Sequence, residues 1–99
     1  MKIIAELSII PIGVGLSLSK YIAECERILK QKGLTIHLHA EGTNIEGDFS
    51  DVLDAIKSCV EAVHKLGAQR VVTNIKLSSR TDKVENMKDK IRSVESQLE

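Results

Sequence analysis

The 99-residue chain is poor in aromatic residues, with one Tyr, one Phe and no Trp. Without aromatic faces there is little for unpaired bases to stack on, which argues against a single-strand nucleic-acid binder. An excess of positive charge is missing as well, because 14 Lys and Arg are matched by 14 Asp and Glu. Proteins that grip phosphate backbones carry a basic excess on one face, so nucleic acid is not an expected partner. No apolar run approaches the roughly 20 residues that cross a bilayer. Glu6 also interrupts the N-terminal run before a secretory signal can form. The expectation is a cytoplasmic protein without membrane contact. Cysteine is limited to Cys25 and Cys59, and no Cys-x-x-Cys spacing exists for zinc. In a reducing compartment both are expected to be plain core residues.

What remains is an ordinary globular composition, enough for one domain over residues 1–99 and too short for two. Lys2 to Ile10 alternate, with Ile3, Ala5, Leu7 and Ile9 on one side and Ile4, Glu6, Ser8 and Ile10 on the other, which predicts a first strand broken at Pro11. Ser17 is placed to cap a helix over Leu18 to Lys32, whose apolar positions Leu18, Ile22, Cys25 and Leu29 share a face. Gly33 is placed to end it in the left-handed region. Leu34, Ile36 and Leu38 alternate with Thr35, His37 and His39 in a second strand, and a turn near Glu41-Gly42 leads to a short third strand around Thr43 to Glu46.

A second helix is predicted from Phe49 to Leu66, with Phe49, Val52, Leu53, Ile56, Val60 and Val63 inward, and Gly67 stops it. A fourth strand follows, with Val71, Thr73, Ile75 and Leu77 facing the core. Residues 83–99 then carry Val84, Met87, Ile91, Val94 and Leu98 as a narrow seam on a terminal helix. Strand, helix, strand, strand, helix, strand, joined by right-handed crossovers, gives an α+β, ferredoxin-like βαββαβ sandwich with an added C-terminal helix.

Two helices cover only one face of such a four-stranded antiparallel sheet. The other face is expected to hold Ile4, Glu6, Ser8, Ile10, Thr35, His37, His39, Val72, Asn74, Lys76 and Ser78. This mixture is too apolar for water and too charged for a core, since exposed apolar area costs about 25 cal/mol per Å². It suits a wet cleft or a subunit interface. The terminal seam has no place on a filled helical layer and points to self-association.

Several chemistries compete on these residues. His37-x-His39 puts two imidazoles on one strand face, and with Glu6 or Glu41 they form a possible metal set, the basis of a metal-dependent enzyme as one alternative. Glu41 and Glu46 flank Gly42-Thr43-Asn44, read here as a tight turn between paired carboxylates. The Gly13/Gly15 loop offers backbone N–H groups but lacks the spacing of a phosphate or dinucleotide fingerprint. No nucleophile stands beside an identifiable base, so binding of a small molecule near a subunit interface, without catalysis and without a cofactor, is the first reading. A ligand-free structural or regulatory oligomer is the other alternative.

Five segments occur in a telling order: Ser8-Ile9-Ile10-Pro11-Ile12-Gly13, Ser19-Lys20-Tyr21-Ile22-Ala23-Glu24, Glu41-Gly42-Thr43-Asn44-Ile45-Glu46-Gly47, Arg70-Val71-Val72-Thr73-Asn74-Ile75-Lys76 and Arg80-Thr81-Asp82-Lys83. Together they resemble the small thiamine-binding protein family, relatives of the YkoF-type hydroxymethylpyrimidine/thiamine-binding proteins. The resemblance implies a ferredoxin-like fold, assembly as a dimer of dimers, and a cytoplasmic binder of thiamine or its pyrimidine moiety with no reaction attached. Thiamine carries a cationic thiazolium and an aminopyrimidine. Under that resemblance Glu41, Glu46 or Glu6 would meet the amino group or the charge. Ser8, Thr43, Thr73 and Asn74 would supply neutral hydrogen bonds, Ile10 and Ile45 an apolar wall, and Lys76 with Arg80 would suit a phosphorylated form.

Overall fold

The protein was analysed as a computed structural model, which describes residues 1–98. Its elements run β1 (Lys2–Ile12), α1 (Ser19–Gln31), β2 (Thr35–His39), β3 (Gly42–Asp48), α2 (Phe49–Lys65), β4 (Arg70–Ser78) and α3 (Met87–Glu95). The four strands form one antiparallel sheet in the order β2-β3-β1-β4. This is the ferredoxin-like arrangement expected from the order of elements. Ile3, Ala5, Leu7 and Ile9 of β1 and Ile45 of β3 point into the core, where Tyr21, Cys25 and Leu29 of α1 meet Val52, Ala55, Ile56, Cys59 and Val63 of α2. A central strand with a buried alternate parity and two helices with one apolar stripe each can close only one core, and they do.

Local chemistry explains most boundaries. Gly33 and Gly67 follow α1 and α2 with φ of 74° and 113°, the left-handed geometry that a side chain resists. Asp48 caps α2 by accepting from the Ser50 N–H at 3.2 Å. α1 begins instead at Ser19 with Leu18 as its N-cap and no side-chain cap, so the expected Ser17 cap is not made.

Three other expectations are corrected. Pro11 does not break β1: the strand runs on to Ile12, and Pro11 lies past Leu7, the last residue paired to β3, where β1 has a neighbour on one side only. Gly42, Thr43 and Asn44 are strand residues of β3, and the two-residue turn is Ala40-Glu41. Leu53 and Ile75 are not core: they stay 39% and 45% exposed, Leu53 on the rim of α2 and Ile75 on β4, the sheet edge.

The open face is partly roofed by the chain itself. α3 lies over it, with the Met87 N–H donating to Glu46 Oε2 at 2.9 Å. A capping box starts this helix, in which Asn86 accepts from the Asp89 N–H and Asp89 accepts from the Asn86 N–H. α3 buries none of its residues, and Ile91 and Val94 remain 56% and 62% exposed. Val84 precedes the helix, and residue 99 at the end of the expected helical span lies outside the described residues.

Candidate functional site

Strand lengths create the site. β1 pairs with β4 from Ile4 to Ile12, but with β3 only from Lys2 to Leu7. The β2–β3 hairpin is therefore shorter than the strand beside it. Past Leu7, β1 has an open edge inside the sheet, where alternate main-chain N–H and C=O groups have no strand to pair with. The hairpin turn is tied across this gap by Ser8 Oγ, which donates to the Glu41 carbonyl at 3.0 Å.

The gap opens into a cleft of about 700 Å³, within the range of small-molecule pockets. One wall is the β1 segment Ser8 to Ile10. A second is α1 through Leu18, Ile22 and Glu26, and a third is the hairpin end through Leu38, His39 and Glu41. Leu16 stands at the mouth, fully exposed. At the floor Thr43 Oγ1 donates to Glu26 Oε2 at 3.0 Å, and Thr43 is the one buried polar side chain among the described residues. Glu26 thus presents a partly buried carboxylate with acceptor capacity to spare. Beside the turn, His39 Nδ1 accepts from the Glu41 N–H at 3.4 Å. The other ring nitrogen, Nε2, lies 3.5 Å from Glu6 Oε2. Among the described residues no lysine or arginine lines the cleft, which carries Glu26 and Glu41.

The nine residues expected to contact ligand do not gather in one place. Ser8, Ile10, Glu41, Thr43 and Asn74 line the cleft. Glu46 and Lys76 lie elsewhere on the open face, in a second cavity of about 410 Å³ beneath α3. Ile45 is a core residue on the helical side, and Thr73, paired with Ile9, shares that side. Thr43 reaches the cleft from the helical side and Ser8 from the open side, because the cleft wraps the short end of the hairpin. Glu26 was missed by sequence reasoning. It stands four residues after Ile22 and one after Cys25, on the flank of the α1 stripe, and a carboxylate so close to an inward seam was the available signal.

The α3 cavity has a different character. It is lined by Lys76, Lys88 and Lys90 together with Glu6 and Glu46, with apolar surface from Ile4 on the sheet and from Met87 and Ile91 on α3. The Glu46 carboxylate there is already engaged by the Met87 N–H. His37 and His39 share the open face as expected, but His37 faces this second cavity while His39 turns to the cleft. Among the described residues no group of three His, Cys, Asp or Glu side chains is arranged to hold a metal ion. No described helix is long and apolar enough to cross a membrane.

Comparison with known proteins converges on one family. The family model described as thiamine-binding protein matches residues 5–95. A UPF0045 protein of Synechocystis is 46% identical over 99 residues, covering 100% of this chain and 82% of that protein. The UPF0045 protein of Methanocaldococcus jannaschii is 36% identical over 93 residues. Its crystal structure superposes with a TM-score of 0.90, covering 95% of this chain and 96% of that one. A Thermotoga maritima protein proposed to serve thiamine biosynthesis or salvage shares the fold, with a TM-score of 0.82 at 16% identity and coverage of 95% and 99%. A match over nearly the whole chain, on the same fold, makes this protein a member of the thiamine-binding protein family.

Proposed function

We propose that this protein binds thiamine or its hydroxymethylpyrimidine moiety, without catalysing a reaction, in the cleft between β1, α1 and the β2–β3 hairpin. The observation that carries the reading is the charge of the two cavities. Among the described residues, Glu26 and Glu41 line the cleft with no lysine or arginine beside them, whereas the cavity under α3 sets Lys76, Lys88 and Lys90 against Glu6 and Glu46, an excess of one positive charge. A thiazolium cation is attracted to the first and finds no net attraction in the second. The aminopyrimidine fits the same place. Its amino group can donate to Glu26, a charge-assisted bond, while its ring nitrogens accept from the open edge of β1. Ile10, Leu18, Ile22 and Leu38 supply the apolar walls. Ser8 and Asn74 line the cleft from the open side.

The protein works on this reading as a cytoplasmic homo-oligomer, a dimer of dimers. Ile10, Ile12 and Val72 on the open face, and Ile91 and Val94 on α3, are apolar surface that a second copy would cover.

Calorimetric titration with thiamine, and separately with hydroxymethylpyrimidine, tests the site. Saturable heat is expected with the native chain. Glu26→Gln should weaken it by about 1.5–3 kcal/mol, one to two orders of magnitude in Kd, the usual worth of a hydrogen bond to a charged group. Glu46→Gln, in the other cavity, should bind as the native chain does. Loss of binding in Glu46→Gln with retention in Glu26→Gln would move the site beneath α3.

A further inference from the structure

The only two cysteines of the chain, 34 positions apart, face each other between α1 and α2. Both are free thiols, and both are buried, at 3% and 0% exposure. The Cys25 thiol donates to the Cys59 carbonyl at 4.0 Å, and the Cys59 thiol donates to the Cys25 carbonyl at 3.6 Å. Each thiol thus reaches the main chain of the other cysteine on the opposite helix, so the two side chains meet at the helix–helix contact. Cys25, unlike Cys59, also lines the cleft.

We propose that Cys25 and Cys59 form a reversible disulfide that joins α1 to α2, made by exchange with a low-molecular-weight disulfide entering through the cleft. The Cys25 thiolate attacks one sulfur of the small disulfide. A mixed disulfide forms at Cys25 and the first small thiolate leaves. Cys59 then gives up its proton and attacks the Cys25 sulfur, the mixed disulfide breaks, and the second small thiolate leaves. The two protein thiols are oxidised, the small disulfide is reduced to two thiols, and these take up the two protons.

The order of attack follows from the environment. A hydrogen bond from Cys59 holds the Cys25 thiol below its ordinary pKa, against the opposing effects of burial and of Glu26 and Glu24. The partnership with Cys25 and burial push the Cys59 thiol up. The more acidic thiol is the one that can be reached. In a bridge, the two sulfurs close to bonding distance and the helix contact beside the cleft tightens.

The test is oxidation of the folded protein with excess glutathione disulfide, followed by unfolding, alkylation of any remaining thiol, and intact-mass measurement. The expected product has lost two hydrogens, takes up no alkylating agent and returns to the free form with dithiothreitol. Cys59→Ala should stop at a glutathione adduct on Cys25, whereas Cys25→Ala should stay unmodified under the same exposure. Two outcomes would overturn the proposal. One is a native chain that keeps both thiols while a urea-unfolded sample oxidises. The other is accumulation of a glutathione adduct on the native chain without the cross-link.

Discussion

A methyl group built on Gly42 would stand 2.8 Å from the Leu7 carbonyl oxygen and 3.1 Å from Ser8 Oγ, whereas one on Gly47 would meet only the Leu34 and Val52 side chains, at 2.6 and 3.5 Å. A carbonyl held in a paired strand cannot retreat, while the end of a leucine can change rotamer. Gly42→Ala should therefore cost about 1–3 kcal/mol, the usual range for overpacking, and Gly47→Ala distinctly less, as read from chemical denaturation. Burial sorts the apolar residues in the same way. Leu29, fully buried, should lose about 2–5 kcal/mol as Leu29→Ala. Leu53→Ala and Ile75→Ala should each lose well under that, because both side chains already meet water. Thermal midpoints of the three variants check the ranking. The parity of β1 was legible in the sequence residue by residue, since alternation fixes which side chains share a face. The exposure of Ile75 was not, because alternation says which face a residue takes and not whether its strand lies at the edge. Glu26 was hidden for a related reason: helical spacing marks the middle of a stripe more clearly than its flank.

At the level of elements, periodicity located every strand and helix, and turn chemistry misplaced some of their ends. Gly42-Thr43-Asn44 has turn-forming residues, yet all three pair with β2, and Thr43 and Asn44 with β1 as well, because the two-residue turn needs only Ala40 and Glu41. Pro11 has the look of a breaker and is harmless where β1 has lost one neighbour. α3 is the element whose sequence and surroundings fit least well. It has a complete capping box and an apolar seam, but it is attached to the sheet through Glu46 and buries nothing of its own. Such a helix has little tertiary packing to stabilise it alone. If its seam is an assembly surface, replacing Ile91 and Val94 together by Asp should lower the particle mass measured by light scattering and leave the helical content of α1 and α2 intact. An unchanged mass would assign assembly to Ile10, Ile12 and Val72 of the sheet instead.

Over the whole molecule, a net charge of zero conceals an uneven distribution. Among the described residues, one cavity is lined by two glutamates without a lysine or arginine, and the other by three lysines against two glutamates. The composition revealed neutrality, but only the fold separates the signs, because Glu26 comes from α1, Glu41 from a turn, and Lys88 and Lys90 from α3. The separation has a consequence for ligand choice. Like charges at close range cost from about 1 kcal/mol in water to about 4 kcal/mol at an effective dielectric near 20. Thiamine diphosphate should accordingly bind the cleft at least about fivefold more weakly than thiamine, with the gap narrowing as salt is added. Competition between the two compounds in the same titration measures it, and equal affinities would show that the phosphates lie clear of the glutamates.

The missing partner beside the far half of β1 gives the hairpin the role of a ruler. Each pair of residues inserted at Ala40-Glu41 would carry β2 and β3 further along β1, zip up the exposed edge and shorten the cleft from below. Each pair removed would lengthen it. A two-residue change in a surface turn, far cheaper for a fold to tolerate than any change in its core, is thus enough to resize what the protein can hold or to abolish the space altogether.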